Sequence, residues 1–407
     1  MPASDVVILS AARTPIGRYG GSFKDLHPAE LGAVAARAAI ERAGLTAADI
    51  DEVLIGHGRQ GGSGPNPGRQ VGHRAGVPHR APAQTINKAC ASGLQAIAAG
   101  AQSIMLGESD IVLAGGIESM SRMPYLIDAV DARWGHRMGN FTLVDAMYRD
   151  GFQCPLSNLI MGETAEVLAR EYGITREQSD CFALESQRKA RAAIDAGHFS
   201  REIAPVTLPA EGRGGRAAVE ATVIERDEHP RDTTLESLRR LPPVFGEVEG
   251  HPGIITAGTS SGITDGGAAL VLASAPAARA RGLTPRAKIL GWASAGVDPR
   301  VMGIGPVPAI EKLRDRSGLG IEDFDLVELN EAFAPQVLAV LRDVPVAADR
   351  LNVNGGAIAL GHPIGATGAR IVVTLLHELE RRHARRGLAT LCVSGGMGMA
   401  MAIERCE

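Results

Sequence analysis

Nothing in the 407-residue sequence approaches the roughly 20 consecutive apolar residues that span a bilayer, so a membrane-embedded chain is not expected. The formal net charge is only -4, which removes any whole-molecule argument for nucleic acid or an anionic membrane surface as partner. The five cysteines, Cys90, Cys154, Cys181, Cys392 and Cys406, are odd in number, scattered, and include no CxxC pair. A disulfide framework and a zinc ribbon are therefore not expected, nor is a bound metal. The opening "MPASDVVILSAART" lacks a basic segment followed by an apolar one, so the expectation is a cytoplasmic protein with reduced thiols. One short basic run, "ERRHARRG" (380–387), closes a helical pattern, where cations suit the helix dipole.

Acidic residues are missing altogether between Gly56 and Gly107. That absence disposes of a decoy. "GHGRQG" (56–61) has the G-x-G-x-x-G spacing of a dinucleotide-binding turn and follows an apolar run. Such a turn must open a helix and be followed about 20 residues on by an acid. Pro65 and Pro67 forbid an immediate helix, and the acid is absent. Arg59, Arg69, Arg74, Arg80 and Lys88 in the same stretch favour an anionic ligand or, as the stronger expectation, acidic residues of another subunit.

What is present is a chain that repeats itself. Its hydrophobic content of 45% and charged content of 22% are ordinary for a soluble globular protein, and its length suits two or three packed units. Residues 40–57, 87–107 and 109–116 read as helix, strand, loop, helix and strand, ending in a Gly-Gly pair; 313–333, 352–380 and 387–396 repeat that grammar. Leu94, Ile97, Ala98, Ala101, Ile104 and Met105 recur at helical spacing, as do Val372, Leu375, Leu376 and Leu379. Alternating helices and short apolar strands predict an α/β fold of two similar halves. Residues 120–253 interrupt the pattern and read as an insertion carrying substrate contacts.

Four residues stand at matching points of this duplication. Cys90, in "NKACASG", precedes an apolar helix whose N-terminus is expected to lower its thiol pKa. His362, in "GHPIG", precedes Pro363, which suits the first position of a helix. Cys392 lies in a strand running into "SGGMG", and Asn330 ends the strand "FDLVELN". The carboxyl ends of strands border the ligand crevice in open α/β sheets, so all four are expected at one face. Taken singly, each also has a plain structural explanation: a buried core thiol, a loop histidine, a turn asparagine. Cys154, Cys181 and Cys406 lack such a setting and read as structural or surface thiols.

In order along the chain, "ILSAARTPIGRYGGSF", "NPGRQ", "NKACASG", "GGIESMS", "MGETAE", "DEHPR", "TAGTSSGITDGGAA", "NEAFAP", "NVNGGAIALGHPIGATGAR" and "CVSGGMG" resemble the thiolase family nearly end to end. The resemblance implies a layered α-β-α-β-α core. It divides the chain into an N-terminal half (1–122 with 254–283), an inserted loop domain (123–253) and a C-terminal half (284–407). It implies reversible cleavage of 3-oxoacyl-CoA by a ping-pong route, with CoA a substrate and no permanently bound cofactor. Cys90 would be the acylated nucleophile and His362 its activator. Cys392 would be the acid/base at the α-carbon, and Asn330 would hold a water that forms one oxyanion hole with His362. The backbone N–H groups of Cys90 and Ser394 would form a second hole. Ser237, Ser261 and Arg231 match positions that touch CoA, and Met161 and Phe333 match positions lining the pocket. A homo-oligomer, dimer or tetramer, is implied as well. Short-chain biosynthetic members often carry histidine where Ile160 stands, which tilts the expectation toward a broad or degradative 3-oxoacyl-CoA thiolase. A ketoacyl-synthase-like condensing enzyme and a non-catalytic acyl-CoA-binding relative stay open beside it.

Overall fold

The strands, most of them runs of buried aliphatic residues, are β1 (Val6–Arg13), β2 (Glu52–His57), β3 (Ala83–Ile86), β4 (Ile111–Ser119), β5 (Thr264–Ser274), β6 (Ala287–Gly296), β7 (Leu326–Leu329), β8 (Arg386–Val393) and β9 (Met397–Arg405). The principal helices are α1 (Pro28–Arg42), α2 (Pro67–Arg74), α3 (Ser92–Leu106), α4 (Met161–Glu171), α5 (Arg176–Asp195), α6 (Leu235–Arg239), α7 (Pro306–Ser317), α8 (Ala334–Asp343) and α9 (Ile364–Arg382). The structure, a computed structural model, describes residues 5–208 and 221–406. Residues 1–4, 209–220 and 407, which fall within the three expected segments, lie outside the described residues.

The strands follow one path, β7-β8-β9-β6-β1-β5-β4-β2-β3. Its two arms have the same grammar. In one, β2 and β4 are parallel while β4–β5 and β5–β1 are antiparallel. In the other, β7 and β8 are parallel while β8–β9 and β9–β6 are antiparallel. Even the outermost strand has its echo, since β3 runs parallel to β2 as Leu351 bridges in parallel to Val327. Among the described residues, the arms pair strand to strand only where Val7 and Ile8 of β1 meet Lys288 and Ala287 of β6.

Three hydrophobic cores bind five layers together, the middle one reaching both sheets. Aliphatic residues of α1 and α2 pack on the outer face of the first arm. Those of α7 and α8 pack on the outer face of the second. Between the arms, α3 and α9 share a core with Val112, Ala114 and Leu270 on one side and Leu391, Met399 and Met401 on the other. Leu94, Ile97, Val372 and Leu376 are fully buried there, as their spacing predicts. Met105 departs from that prediction: it sits at the end of α3 and is exposed. One stretch of the middle layer is notably apolar without being an unbroken apolar run, since Ser92, Gln95, Gln102 and Ser103 interrupt it. Ala89–Leu106, 18 residues with mean hydropathy 1.2, is long and apolar enough to cross a membrane by length and composition alone. Its apolarity is explained by the middle layer, where sheet lies on both sides.

Candidate active site

Cys90 is held by a kink that its neighbours enforce. Ala89 has φ +43°, a left-handed conformation uncommon for a residue with a side chain. Asn87 Oδ1 accepts the Ala89 N–H at 3.0 Å. Ser92 Oγ accepts the Lys88 N–H at 2.9 Å and donates to the Ala89 carbonyl at 2.7 Å. Helix α3 starts at Ser92, with Ala91 as its cap, so Cys90 stands just ahead of the helix. Its partner arrives because α3 and α9 touch backbone to backbone. A Cβ on Gly93 would lie 2.7 Å from the Ala369 nitrogen and 2.9 Å from the Gly365 oxygen. That approach sets the starts of both helices side by side.

His362 precedes α9, whose cap is Pro363 and whose first residue is Ile364; the proline therefore stands one place earlier than the sequence predicts. The Thr367 hydroxyl lies 2.6 Å from His362 Nδ1 and donates to the Pro363 carbonyl at 3.0 Å. A hydroxyl has one proton to give, so Thr367 accepts from Nδ1–H and leaves Nε2 with its lone pair. Nε2 is buried with no partner. Asn330 leaves β7 beside β8, its N–H donating to the Thr390 carbonyl at 3.0 Å. Its side-chain amide is buried, and neither polar atom has a partner. Buried polar groups left free in this way can take up a ligand or a water. Cys392 is the penultimate residue of β8, fully buried. In the turn that follows, Gly395 and Gly396 take φ +89° and +83°, values a side chain rarely tolerates. This turn brings the Ser394 N–H close enough to the Cys90 sulfur to favour its charged form.

Electrostatics correct one expectation. Burial raises the Cys90 pKa; the Arg59 charge and the N–H groups of Ser394 and Cys90 pull it down without overcoming that. Cys392 is likewise pushed up, by burial and by the charge Cys90 would carry. Burial, with Arg370 and Arg59, depresses His362 to about 3. The resting site thus holds two neutral thiols and a neutral imidazole, an arrangement suited to proton transfer within the site and not to a preformed thiolate.

The thiolase N-terminal domain family matches residues 6–276 and the thiolase C-terminal domain family matches residues 283–405. The chain belongs to the thiolase family. This thiolase is 49% identical over 403 residues to the acetyl-CoA acetyltransferase of Cupriavidus necator, covering 99% of this chain and 100% of the relative. It is 48% identical over 400 residues to an Escherichia coli acetyl-CoA acetyltransferase, covering 98% of each chain. The crystal structure of Bacillus anthracis acetyl-CoA acetyltransferase superposes with TM-score 0.94 at 43% identity, covering 100% of both chains. Human mitochondrial 3-ketoacyl-CoA thiolase in complex with CoA gives TM-score 0.92 at 41% identity, over 99% of this chain and 98% of the other.

In this thiolase Met161 and Phe333 pack with Cys392, Met302 and Ala332. The Ser261 N–H donates to the Ala332 carbonyl at 2.9 Å, and the next residue's carbonyl accepts the His362 N–H at 3.0 Å, so Ser261 borders the same group. Ser237 and Arg231 are exposed on the inserted region: Ser237 pairs with Thr234, and Arg231 contacts His229. The structure does not bring these two against the thiols.

Several features of this thiolase were not read from the sequence. Thr367 fixes the histidine tautomer, and only its five-residue spacing from His362 hints at it. Cys154, set aside as structural or surface, is buried in the cluster with Cys392. Burial pushes its thiol up, but Ser157, with the N–H groups of Leu156 and Gly395, brings it below the ordinary value. The basic residues between 56 and 107 mostly serve the chain itself. Arg69, Arg80 and Arg59 donate to carbonyls of His79, Ala48 and Gly151, and Lys88 donates to Gln95 and Ser294.

Proposed function

We propose that the chain is a CoA-dependent acyltransferase that cleaves 3-oxoacyl-CoA to acetyl-CoA and a shortened acyl-CoA, or runs the reverse Claisen condensation, through an acyl-Cys90 intermediate. CoA serves as a substrate. His362 Nε2 takes the Cys90 proton, and the sulfur adds to the 3-oxo carbon. The bond between C2 and C3 breaks, and the acetyl-CoA enolate takes its proton from the Cys392 thiol. CoA then attacks the acyl-enzyme, and the N–H groups of Cys90 and Ser394 hold the carbonyl oxygen through that second addition. Asn330 positions a water that, with His362, holds the oxygen of the reacting thioester. Ser237, Ser261 and Arg231 are assigned to CoA, Met161 and Phe333 to the pocket wall. Residues 1–122 with 254–283 and 284–407 make the two halves, with 123–253 inserted as the loop domain.

The observation that carries this reading is the pair of orphaned polar groups, His362 Nε2 and the Asn330 amide. They belong to the site where the Arg59 charge and the Ser394 N–H act on the Cys90 thiol. A ketoacyl-synthase-type enzyme has no need of the second thiol, and a binding-only relative would have no use for a base with its lone pair kept free. Ile160, where short-chain biosynthetic members often carry histidine, keeps the proposal on broad or degradative substrates.

Incubation with acetoacetyl-CoA in the absence of CoA, followed by intact mass and peptide mapping, tests the reading. An acetyl increment on Cys90 that CoA removes is expected. Cys392→Ala should still accept acetyl from acetyl-CoA onto Cys90 while losing C–C cleavage. Near-normal cleavage by that variant would show the acid/base assignment to be wrong.

The homo-oligomer is also proposed. It is supported by a run of exposed apolar side chains in the inserted region, among them Trp134 at 83% and Met138 at 87% exposure. Patches of that kind mark interfaces in folded proteins.

A further inference from the structure

Arg59 is a cation without an anion. Arg13 and Arg370, the fully buried arginines, face Glu202 with Asp227 and Glu328 respectively. No carboxylate pairs with Arg59 among the described residues: it donates to the carbonyls of Gly151 at 2.6 Å and Gly58 at 3.4 Å, while its buried Nε has no partner. Its place is close to the chemistry. A Cβ on its neighbour Gly58 would lie 3.3 Å from the Ala89 carbonyl, immediately before Cys90, and 2.8 Å from Ile364, two residues after His362. Its charge is felt at both Cys90 and His362. Glu118, next to Gly58, is engaged by the Gly365 N–H at 2.9 Å and lies 3.0 Å from His57.

The other side of this guanidinium is apolar. A Cβ on Gly151 would lie 3.7 Å from Arg59 Nε and 3.8 Å from Met147 Sδ. Met147 shares the core that contains Cys90, against which Ile86, Met123 and Phe152 also pack. An acyl chain extending from the Cys90 sulfur toward Arg59 would run beside Met147 before meeting the cation. Alkyl against apolar wall and anion against guanidinium is the complement of an ω-carboxyacyl group.

We propose that Arg59 recognises a carboxylate at the far end of the acyl group, making 3-oxoacyl-CoA esters that end in a carboxylate the preferred substrate class. The inference rests on the thiolase activity proposed above and deepens it. Cleavage stays balanced as before: acetyl-CoA departs with the proton from Cys392, and the ω-carboxyacyl group passes from Cys90 to CoA.

The test compares 3-oxoacyl-CoA esters matched in chain length, one ending in methyl and one in carboxylate. The wild-type enzyme should favour the carboxylate by about tenfold or more in kcat/KM, the effect of one charge-assisted hydrogen bond. Arg59→Leu should lower that ratio roughly 10- to 100-fold, and Arg59→Lys should restore part of it. If Arg59→Leu does not fold, Arg59→Gln carries the comparison, with thermal unfolding checked for each variant. An unchanged ratio, or equal losses on both esters, overturns the proposal and leaves Arg59 acting on the Cys90 thiol or on the packing of residues 147–152. A change of oligomeric state with the ratio intact overturns it too, in favour of an acid from a second copy. Failure of acetoacetyl-CoA to acetylate wild-type Cys90 is a separate result, which removes the thiolase activity and this inference with it.

Discussion

At Cys90 two opposed effects meet, and their magnitudes decide the outcome. A helix N-terminus is worth about 0.3–1 kcal/mol to a nearby anion when exposed, whereas taking a charge out of water costs several times that. Cys90 is 9% exposed and stands before the helix, outside its first turn, so burial prevails and the thiol pKa is raised. Alkylation of Cys90 by iodoacetamide, followed by peptide mapping, is expected to accelerate about tenfold per pH unit through the ordinary thiol range, without levelling near neutrality. A plateau near pH 7 would mean that Arg59 and the N–H groups outweigh burial. The sequence shows Cys90, His362, Cys392 and Asn330 plainly because each lies in a short, distinctive string at a matching point of the repeat. It does not show that Ala89 turns left-handed, because alanine carries no signal for that conformation; the cause lies in the side chains of Asn87 and Ser92 folding back on the chain. Nor does it show the tautomer of His362, which depends on where a single hydroxyl proton goes.

At the scale of elements, the site depends on how closely α3 and α9 approach. Helix propensity alone favours Gly93→Ala by about 1 kcal/mol. The native approach predicts the opposite, because the added carbon meets backbone of α9 that cannot swing aside. Overpacking of this kind costs about 1–3 kcal/mol. Gly93→Ala should therefore lower the thermal midpoint and, by parting Cys90 from His362, reduce turnover more than it reduces substrate binding. A raised midpoint with full activity would show that the helices have room to spare. The helices themselves were legible from their apolar spacing, and the strands from short aliphatic runs. Met105 was misplaced because periodicity tells which face is apolar but not where along a helix the covering sheet ends.

For the whole molecule, duplication was the strongest signal, and it fixes the layers: two arms of like strand order with one helix from each half between them. The inserted region offers less to a reader of sequence, since several of its large apolar side chains do not face that core. Tyr125, Val130, Trp134, Met138 and Leu143 are exposed, and a chain of balanced surface charge does not leave such residues in water without cause. Replacing Trp134 and Met138 together by glutamate should shift the particle to a smaller mass in light scattering behind size exclusion, with the monomer's circular dichroism preserved. An unchanged mass would place the subunit contact elsewhere.

The arms touch through Val7 and Ile8 against Lys288 and Ala287, and otherwise hold together through α3 and α9. Each of those helices is a surface the opposite arm must cover. On the ribosome, the 18-residue stretch Ala89–Leu106, apolar enough to be mistaken for a membrane segment, emerges long before Ile364–Arg382 has been made. Until the last strands arrive the nascent chain carries an open hydrophobic face, the condition in which large proteins aggregate or recruit chaperones. A truncation after residue 283 would leave that face permanently uncovered. The two halves, expressed apart, should be soluble only when made together.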